Sequence, residues 1–232
     1  MIRTCIVLAG GLGTRLRSVV ADKPKCMAPV GPHPFLYYLL QYLYRQGITY
    51  AVLSLGYKSE QVISWCAHTP LPLQVSFAIE PEPLGTGGAI LHALSEVSEE
   101  RFFICNGDTF FDVDLSGMAA FHDTHESQLT LALKPMRQFD RYGSIVADDA
   151  GHITAFREKQ YCEEGLINGG VYLSSRSYLQ GLSLPVKHSF EKEVLEAQVA
   201  RGQLYGYNSD TYFIDIGIPA DYEQAQRDLI TF

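Results

Sequence analysis

The amino-acid sequence predicts an α/β protein with a mixed, mostly parallel central sheet that is flanked by helices on both faces. Three observations lead to this prediction. Short apolar runs, typical of strands buried on both faces, alternate with helical patterns through the first half of the chain. Two glycine-rich turns each follow a strand pattern, as ligand-binding loops at the carboxyl ends of parallel strands do. After Pro135 the predicted strands become shorter and the turns more frequent, which indicates a smaller antiparallel part.

The first half begins with a continuously apolar strand from Thr4 to Leu8, which runs directly into the first glycine-rich turn. A helix follows between Pro34 and Gly47, where leucines recur at the i, i+3, i+4 and i+7 positions of one helical face. The remaining elements of this half are predicted in this order: a strand over 50–55, a helix that Ser59 caps and that runs to about Ala67, a strand over 73–79, a helix opened by the second glycine-rich turn at 84–89, and a strand over 101–105.

The second half starts with a further alternating segment over 115–125 and a strand over 129–134. Beyond it, strands over 144–147 and 153–157 flank a turn at 148–151, which predicts a hairpin. The chain then continues with a strand over 170–173, a helix near 190–200, strands over 204–207 and 212–214, and a helix from Pro219 with Tyr222, Ala225 and Leu229 facing inward.

The composition favours one globular domain over residues 1–232, because 47% of the residues are hydrophobic and no Pro/Ser/Gly-rich linker divides the chain. The formal net charge of −8, with no cluster of basic residues, argues against a surface for nucleic acids or anionic membranes. The apolar runs are far shorter than a membrane span and no signal-peptide pattern is present, so we expect a cytoplasmic protein. Five scattered cysteines predict reduced thiols rather than a disulfide framework or a zinc site.

The first glycine-rich turn has the composition of a phosphate-binding loop. Gly10, Gly11 and Gly13 let backbone N–H groups approach an anion closely, because they have no Cβ. Leu16 stands where the dinucleotide fingerprint requires a glycine, and no Gly-Lys-Ser/Thr follows, so neither a dehydrogenase nor a P-loop pattern is matched. The alternative is a turn that binds nothing. Four cations close by favour phosphate neutralisation instead: Arg15, Arg17, Lys23 and Lys25.

Two acidic residues follow strand patterns in different parts of the chain. Asp108 ends the run Asn106-Gly107-Asp108, and Asp215 lies between apolar strand residues and Gly217. Either residue alone is most simply a turn former or helix cap. Together, at one edge of the sheet, they provide the carboxylates that Mg²⁺ binds along with phosphate oxygens and water.

Other candidate groups carry less information. The neighbouring Glu158 and Lys159 follow a strand and are either a solvated turn pair or a carboxylate for sugar hydroxyls beside an ammonium for a sugar phosphate. His122 and His125 share a helical face, and without further ligands nearby this pattern indicates a hydrated surface rather than a metal site.

The sequence resembles the sugar-1-phosphate nucleotidyltransferases, whose fold is Rossmann-like. The resemblance is carried by ordered blocks that extend over nearly the whole chain: 8–16 (LAGGLGTRL), 24–30 (PKCMAPV), Glu80 with 84–88 (LGTGG), 106–108 (NGD), 142–143 (YG), 158–159 (EK), 168–172 (NGGVY) and 215–217 (DIG). Within this family the chain is most similar to the D-glycero-D-manno-heptose 1-phosphate guanylyltransferases, in the segments 17–20, 189–192 and 213–219.

The resemblance implies a nucleotide-binding part over about 1–134 and a sugar-binding part over about 135–232. It assigns the triphosphate to Gly10, Gly11, Gly13, Thr14 and Arg15, the reacting phosphates to Lys25, and the base to Glu80 and Gly85. Leu8, Ala9, Thr86 and Asn106 complete the nucleotide site. Asp108 and Asp215 are implied as ligands of Mg²⁺, Lys159 as the group that binds the sugar phosphate, and Gly143, Glu158 and Asn168 as the lining of the sugar site. The implied catalytic residues are Arg15, Lys25, Asp108 and Asp215.

The implied activity is transfer of GMP from GTP to D-glycero-α-D-manno-heptose 1-phosphate, which supplies an activated heptose for surface polysaccharides such as lipopolysaccharide or capsule. The small-molecule partners are a nucleoside triphosphate and a sugar 1-phosphate. The alternatives are a mannose-1-phosphate guanylyltransferase, a uridylyl or thymidylyl transferase acting on a hexose or N-acetylhexosamine 1-phosphate, and a non-catalytic sensor that keeps the fold.

Overall fold

The computed structural model describes residues 1–11, 16, 20 and 22–231. Thirteen strands are found among these residues: β1 (Thr4–Leu8), β2 (Pro29–Val30), β3 (His33–Pro34), β4 (Tyr50–Leu55), β5 (Gln74–Ile79), β6 (Arg101–Asn106), β7 (Thr109–Phe111), β8 (Leu129–Phe139), β9 (Ser144–Ala147), β10 (Ile153–Arg157), β11 (Cys162–Ser175), β12 (Leu204–Asn208) and β13 (Phe213–Asp215).

Helices connect these strands, and none of those in the described ranges has the length and apolar character needed to cross a bilayer. The α-helices are α1 (Phe35–Arg45), α2 (Ser59–His68), α3 (Gly85–Ala93), α4 (Leu115–Thr124), α5 (Arg176–Gly181), α6 (Ala197–Val199) and α7 (Pro219–Asp228). Three short 3₁₀ segments, Lys25–Met27, Leu94–Glu96 and Leu229–Thr231, and one π-helical segment, Phe190–Glu196, complete them.

The central sheet is mixed, as predicted. Its main path has the order β10-β9-β11-β6-β1-β4-β5, and β8 pairs with both β11 and β12. The pairs β6–β1, β1–β4, β4–β5 and β12–β8 are parallel, whereas β11 runs antiparallel to β6, β8 and β9. The strands β7 and β13 form a separate antiparallel ribbon beside the sheet. The carboxyl ends of β1, β4 and β6 therefore meet at one edge.

Helices cover both faces of this sheet because successive side chains of a strand point to opposite sides. Cys5 and Val7 of β1 pack in a core that includes the leucines of α1, and Ile6 packs in a second core with Ile90 of α3 and Phe190. The helical spacing of apolar residues in α1 thus gives one face of the sheet its cover. The inward positions predicted in α7 and the turn after it, Tyr222, Ala225 and Leu229, are all buried.

Three predictions of local structure are wrong. Ser59 is the first residue of α2 rather than its cap, because Lys58 precedes it in the left-handed region at φ 53° and no side chain caps the helix. The strand predicted over 129–134 continues through Pro135 to Phe139, and the strand predicted over 170–173 is 14 residues long, from Cys162 to Ser175. The antiparallel part is therefore built on two long strands.

Candidate active site

The first glycine-rich turn leaves the sheet at the point where β1, β4 and β6 end. Leu8 lies beside Asn106 in the parallel register, and the N–H of Ala9 donates to the carbonyl of Ser54 at 2.9 Å. The turn then passes the side chain of Glu80, since a Cβ on Gly10 would lie 2.8 Å from Glu80 Oε1. A side chain at this position would displace the Glu80 carboxylate and would also lie 3.1 Å from the backbone nitrogen of Gly56. Gly11 is exposed at the same edge, whereas the predicted triphosphate ligands Gly13, Thr14 and Arg15 lie outside the described residues.

A cation and two carboxylates from distant parts of the chain meet beside this turn. Lys25 Nζ donates to Asp108 Oδ2 at 2.5 Å and to Asp215 Oδ1 at 3.1 Å. Asp108 lies in the short connection between β6 and β7, and Asp215 ends β13, where it pairs with Thr109 of β7. The ribbon of β7 and β13 therefore brings together the two acids that the sequence predicted as a pair.

The electrostatics of this centre are those of a partly buried site. Only 12% of the Lys25 side chain is exposed, against 37% for Asp108 and 29% for Asp215. Burial, and then the charge of Asp108, raise the pKa of the Asp215 carboxyl, while Lys25 and the N–H of Gly217 oppose this rise. Burial together with the nearby Asp108 also raises the pKa of the Cys26 thiol to about 12. Both pKa values are raised first by burial and second by the negative charge of Asp108.

The residues of this centre fit a magnesium ion. Oxygens of Asp108 and Asp215 both lie within 3.1 Å of one ammonium nitrogen, so the two carboxylates converge on a single cationic group. Mg²⁺ is commonly bound by one or two carboxylates, with phosphate oxygens and water as its other ligands. Within the described part of the chain no group of three or more His, Cys, Asp or Glu side chains is arranged for a metal, so no competing cage is present there.

A cavity of about 600 Å³ opens next to this centre. It brings together most of the predicted nucleotide ligands with a second set of residues that the sequence did not indicate. The predicted residues at its wall are Leu8, Gly10, Gly11, Glu80, Gly85, Thr86, Asn106 and Asp108, and the others are Ser54, Gly56, Tyr57, Pro81, Glu82, Pro83, Ala89 and Glu191. The volume lies in the range of pockets that hold small ligands such as nucleotides.

Glu80 is held at the cavity wall by the backbone. Its Oε2 accepts a hydrogen bond from the N–H of Leu84 at 2.9 Å, and its Oε1 lies beside Gly10. Gly85 follows with φ +75°, a conformation that favours glycine, and begins α3. The carboxylate is therefore oriented before any ligand arrives.

Residues of the second glycine-rich turn line the cavity and also pack against the segment around His188. The N–H groups of Gly87 and Gly88, in the first turn of α3, both donate to the carbonyl oxygen of His188, at 3.1 and 3.3 Å. Thr86 Oγ1 accepts the N–H of Phe190 and donates to Glu191, each at 2.8 Å. The donors of this helix end are thus partly used by the chain itself, and the small residues allow the segment around His188 to approach.

The predicted sugar-site residues occupy two places. Asn168 lies at a register irregularity of β11, where its Oδ1 accepts the N–H of Gly170 and its Nδ2 donates to the hydroxyl of Tyr172, each at 2.9 Å. Glu158 and Lys159 follow β10 and are exposed, and neither makes a hydrogen bond or ion pair with another described residue. Gly143 precedes β9, and a Cβ there would lie 2.7 Å from the Arg157 carbonyl oxygen.

The histidine prediction is half wrong. His122 is buried rather than hydrated, because α4 packs it against β8, where its Nδ1 lies 2.8 Å from Thr130 Oγ1. Burial lowers the pKa of His122. His125 is half-buried and its Nδ1 lies 2.8 Å from the carbonyl oxygen of Phe121. Neither ring belongs to the candidate active site.

Comparison with known proteins gives matches over nearly the whole chain. Residues 4–231 match the family described as Nucleotidyl transferase. The D-glycero-alpha-D-manno-heptose 1-phosphate guanylyltransferase of Aneurinibacillus thermoaerophilus is 48% identical, with 97% of each chain covered. The protein of the same name from Campylobacter jejuni is 43% identical, with 94% of this chain and 96% of that protein covered.

A solved structure has the same fold. HddC from Yersinia pseudotuberculosis, complexed with GMP-PN, superimposes with a TM-score of 0.87 at 37% identity, and the match covers 97% of this chain and 99% of that chain. The mixed, mostly parallel sheet predicted from the sequence is therefore the sheet of a structurally characterised relative.

Proposed function

Because the chain belongs to the nucleotidyl transferase family, we propose that it transfers GMP from GTP to D-glycero-α-D-manno-heptose 1-phosphate. The products are GDP-D-glycero-α-D-manno-heptose and pyrophosphate. The names of the two relatives above 40% identity support this reaction. The observation that carries the proposal is the convergence of Lys25, Asp108 and Asp215 beside a nucleotide-sized cavity.

The reaction brings two anions together. A phosphate oxygen of the sugar 1-phosphate attacks the α-phosphorus of GTP in line, the bond from that phosphorus to the β-phosphate oxygen breaks, and pyrophosphate leaves with the bonding electrons. The attacking oxygen is already ionised, so no general base is required and no covalent enzyme intermediate forms. The protein contributes positioning and charge neutralisation.

Lys25 is the described cation best placed for this neutralisation. It begins the 3₁₀ segment Lys25–Met27 and is held between two carboxylates, and a partly buried ammonium acts on phosphate oxygens with little screening by solvent. Arg15 is proposed as the second cation on the triphosphate, and Lys159 as the cation on the sugar phosphate. Gly10, Gly11, Gly13 and Thr14 are proposed to hold the triphosphate through the turn, with Leu8, Ala9 and Asn106 at its base.

Asp108 and Asp215 are proposed to hold Mg²⁺. When bound, this ion neutralises phosphate charge and polarises the oxygens around the reacting phosphorus. The two carboxylates together carry one more negative charge than Lys25 compensates, which favours a further cation at the same place.

Glu80 is proposed to select guanine. Guanine presents its N1–H and 2-amino group as adjacent donors, and an ionised carboxylate accepts both, whereas uracil and thymine set carbonyl oxygens against it. The hydrogen bond from Leu84 uses one lone pair of Oε2 and leaves acceptor sites on both oxygens. Gly85 and Thr86 lie on the same wall of the cavity.

The sugar is proposed to lie against Gly143, Glu158, Lys159 and Asn168. The amide of Asn168 is fixed at both ends by Gly170 and Tyr172, so it keeps one free N–H and one free lone pair for sugar hydroxyls.

We also propose a cytoplasmic location, since all five cysteines are free thiols, as in a reducing compartment. The partners are the two small molecules, without a nucleic acid or a membrane.

A pyrophosphate-release screen tests the proposal. GTP, UTP, dTTP and ATP are each combined with heptose, mannose, glucose and N-acetylhexosamine 1-phosphates in the presence of Mg²⁺. We expect the highest kcat/KM for GTP with the heptose 1-phosphate, and we expect Glu80→Gln to reduce the preference for GTP over UTP by roughly 10²-fold. Glu82→Gln, at an exposed neighbouring residue of the same wall, is the matched control. A wild-type preference for a pyrimidine nucleotide contradicts the guanine assignment.

A further inference from the structure

One carboxylate at the cavity wall has no role in the reaction described above. Glu191 lies in the first turn of the π-helical segment Phe190–Glu196, is half-buried, and lines the same cavity as Asn106 and Asp108. It forms no ion pair with any residue that the structure describes. A half-buried carboxylate without a cation in a pocket for anionic substrates requires an explanation.

The side chain of Glu191 is held in one orientation. Its Oε2 accepts hydrogen bonds from Thr86 Oγ1 at 2.8 Å and from Ser189 Oγ at 2.9 Å. Thr86 is itself fixed, because its Oγ1 accepts the N–H of Phe190. No described donor reaches Oε1, so this oxygen keeps its lone pairs for a ligand. Two hydroxyls thus orient one carboxylate oxygen and leave the other free.

Glu191 lies near the proposed sugar residue Asn168, because the ring of the adjacent Phe190 packs edge-on against the ring of Tyr172, with the centroids 5.1 Å apart. Burial, and then the charge of Glu191, raise the pKa of the Tyr172 hydroxyl. That hydroxyl accepts the hydrogen bond from Asn168 Nδ2 at 2.9 Å. Contacts therefore lead from Phe190, next to Glu191, through Tyr172 to Asn168.

The chemistry of a fixed carboxylate identifies its ligand. It repels phosphate oxygens and carbonyl oxygens, and it accepts hydrogen bonds from hydroxyl groups strongly because it is charged. We propose that Glu191 is a specificity-determining residue whose free oxygen accepts a hydrogen bond from a hydroxyl of the sugar ring or side chain of the sugar 1-phosphate. This inference rests on the proposed function. It adds to the proposed sugar site a residue from the π-helical segment, whereas Glu158 and Lys159 follow β10.

The test compares Glu191→Gln with Glu196→Gln, an exposed glutamate of the same segment. Glutamine keeps an oxygen that can accept from Thr86 and Ser189, so the fold and the Tm are expected to stay close to those of the wild type. We expect Glu191→Gln to reduce kcat/KM for the heptose 1-phosphate by about tenfold to hundredfold and to leave the KM for GTP within about twofold. Glu196→Gln changes neither value.

Monodeoxy analogues of D-glycero-α-D-manno-heptose 1-phosphate then locate the contact. In the wild type, kcat/KM falls when the analogue lacks the hydroxyl that donates to Glu191. In Glu191→Gln the absence of the same hydroxyl has little further effect. Such non-additivity is expected of two groups in contact. Replacing GTP by 2′-deoxy-GTP or 3′-deoxy-GTP is expected to lower kcat/KM by the same factor in the wild type and in Glu191→Gln.

Three outcomes overturn the inference. An unchanged kcat/KM for every sugar 1-phosphate in Glu191→Gln removes the contact, and non-additivity with the deoxy-GTP analogues assigns Glu191 to the ribose. A fall in Tm with parallel losses for GTP and sugar phosphate gives the residue a structural role. If the wild type releases no pyrophosphate from GTP with any sugar 1-phosphate, the proposed function itself fails, which is a different result from an active wild type with an unaffected variant.

Discussion

At the scale of single residues, the candidate active site is dominated by one cation between two acids. The Lys25 ammonium and the carboxylates of Asp108 and Asp215 sum to one negative charge in a partly buried place. Each carboxylate also has a backbone or side-chain donor: Gly217 N–H lies 2.8 Å from Asp215 Oδ1, and Thr109 Oγ1 lies 3.4 Å from Asp108 Oδ1. The acids are therefore oriented independently of Lys25.

Asp108→Asn and Asp215→Asn are each expected to lower turnover by about 10²-fold or more and to leave the fold intact. Each change removes one charged oxygen ligand from the proposed metal site, and the charge stabilisation that a metal supplies is worth several kcal/mol. The measurement is the rate of pyrophosphate release over a Mg²⁺ titration, with Asp149→Asn in the exposed 148–151 turn as the control. Near-wild-type activity at low Mg²⁺ in either variant contradicts the metal assignment.

Lys25→Ala is expected to reduce kcat by roughly 10² to 10³, with a smaller change in KM for GTP. The ammonium acts most strongly on charge that develops in the transition state, and loss of one such electrostatic donor has this size of effect. Steady-state kinetics with GTP as the varied substrate provide the measurement. An unchanged kcat assigns Lys25 to a structural role between the two aspartates.

The sequence indicated these three residues and did not indicate Glu191. Asp108 and Asp215 follow strand patterns, and Lys25 is one of four cations that follow the first glycine-rich turn. Such local patterns are visible in a sequence. Glu191 lies in the 189–192 segment that carries part of the resemblance, but its side chain is oriented by Ser189 together with Thr86, which is 105 residues away along the chain. A hydrogen bond between such distant residues leaves no spacing signal.

At the scale of elements, the packing of α3 against the segment before Phe190 defines one wall of the cavity. Gly88 → Ala is expected to disrupt this packing, because a Cβ at Gly88 would collide with the carbonyl oxygen of Val186 and lie 2.8 Å from Leu84 Cβ. We expect a loss of about 1–3 kcal/mol in the free energy of unfolding, although alanine is the better helix former by about 1 kcal/mol. This corresponds to a fall in Tm of about 2–12 °C.

Gly181→Ala is the matched control, since a Cβ at this last residue of α5 meets nothing within 4 Å. Its Tm is expected to stay constant or to rise slightly, because alanine restricts the unfolded chain. Differential scanning fluorimetry of both variants provides the comparison. If Gly88→Ala unfolds at the wild-type temperature, the glycine is present for a reason other than close packing.

The same scale shows why strand boundaries were harder to predict than strand existence. The strands over 4–8, 50–55, 144–147 and 153–157 have the predicted bounds, because polar or turn residues limit each apolar run. Pro135 was read as the end of β8, yet β12 pairs with β8 only as far as Leu133, so Pro135 has β11 as its single neighbour. A proline is tolerated at such a position because the strand has a neighbour on one side only.

At the scale of the whole molecule, the two predicted parts are interleaved. The predicted boundary between 134 and 135 falls inside β8, and β11 from the second part lies next to β6 from the first. The candidate active site also crosses this boundary, because Lys25 contacts Asp215 and Thr86 contacts Glu191. The functional division into a nucleotide part and a sugar part therefore does not correspond to a division of the sheet.

We expect the chain to unfold in a single calorimetric transition, because separating the two parts breaks the β6–β11 and β8–β11 ladders and the cluster around Lys25 at once. GTP with Mg²⁺ at about 100 times its Kd adds about 2.7 kcal/mol to the stability of the folded state. For a chain of this size the whole transition should move up by about 5–11 °C. UTP with Mg²⁺ at the same concentration, as the control, should produce a smaller shift. Two resolved transitions, of which nucleotide moves only one, contradict the single-domain prediction and place the boundary near residue 135 after all.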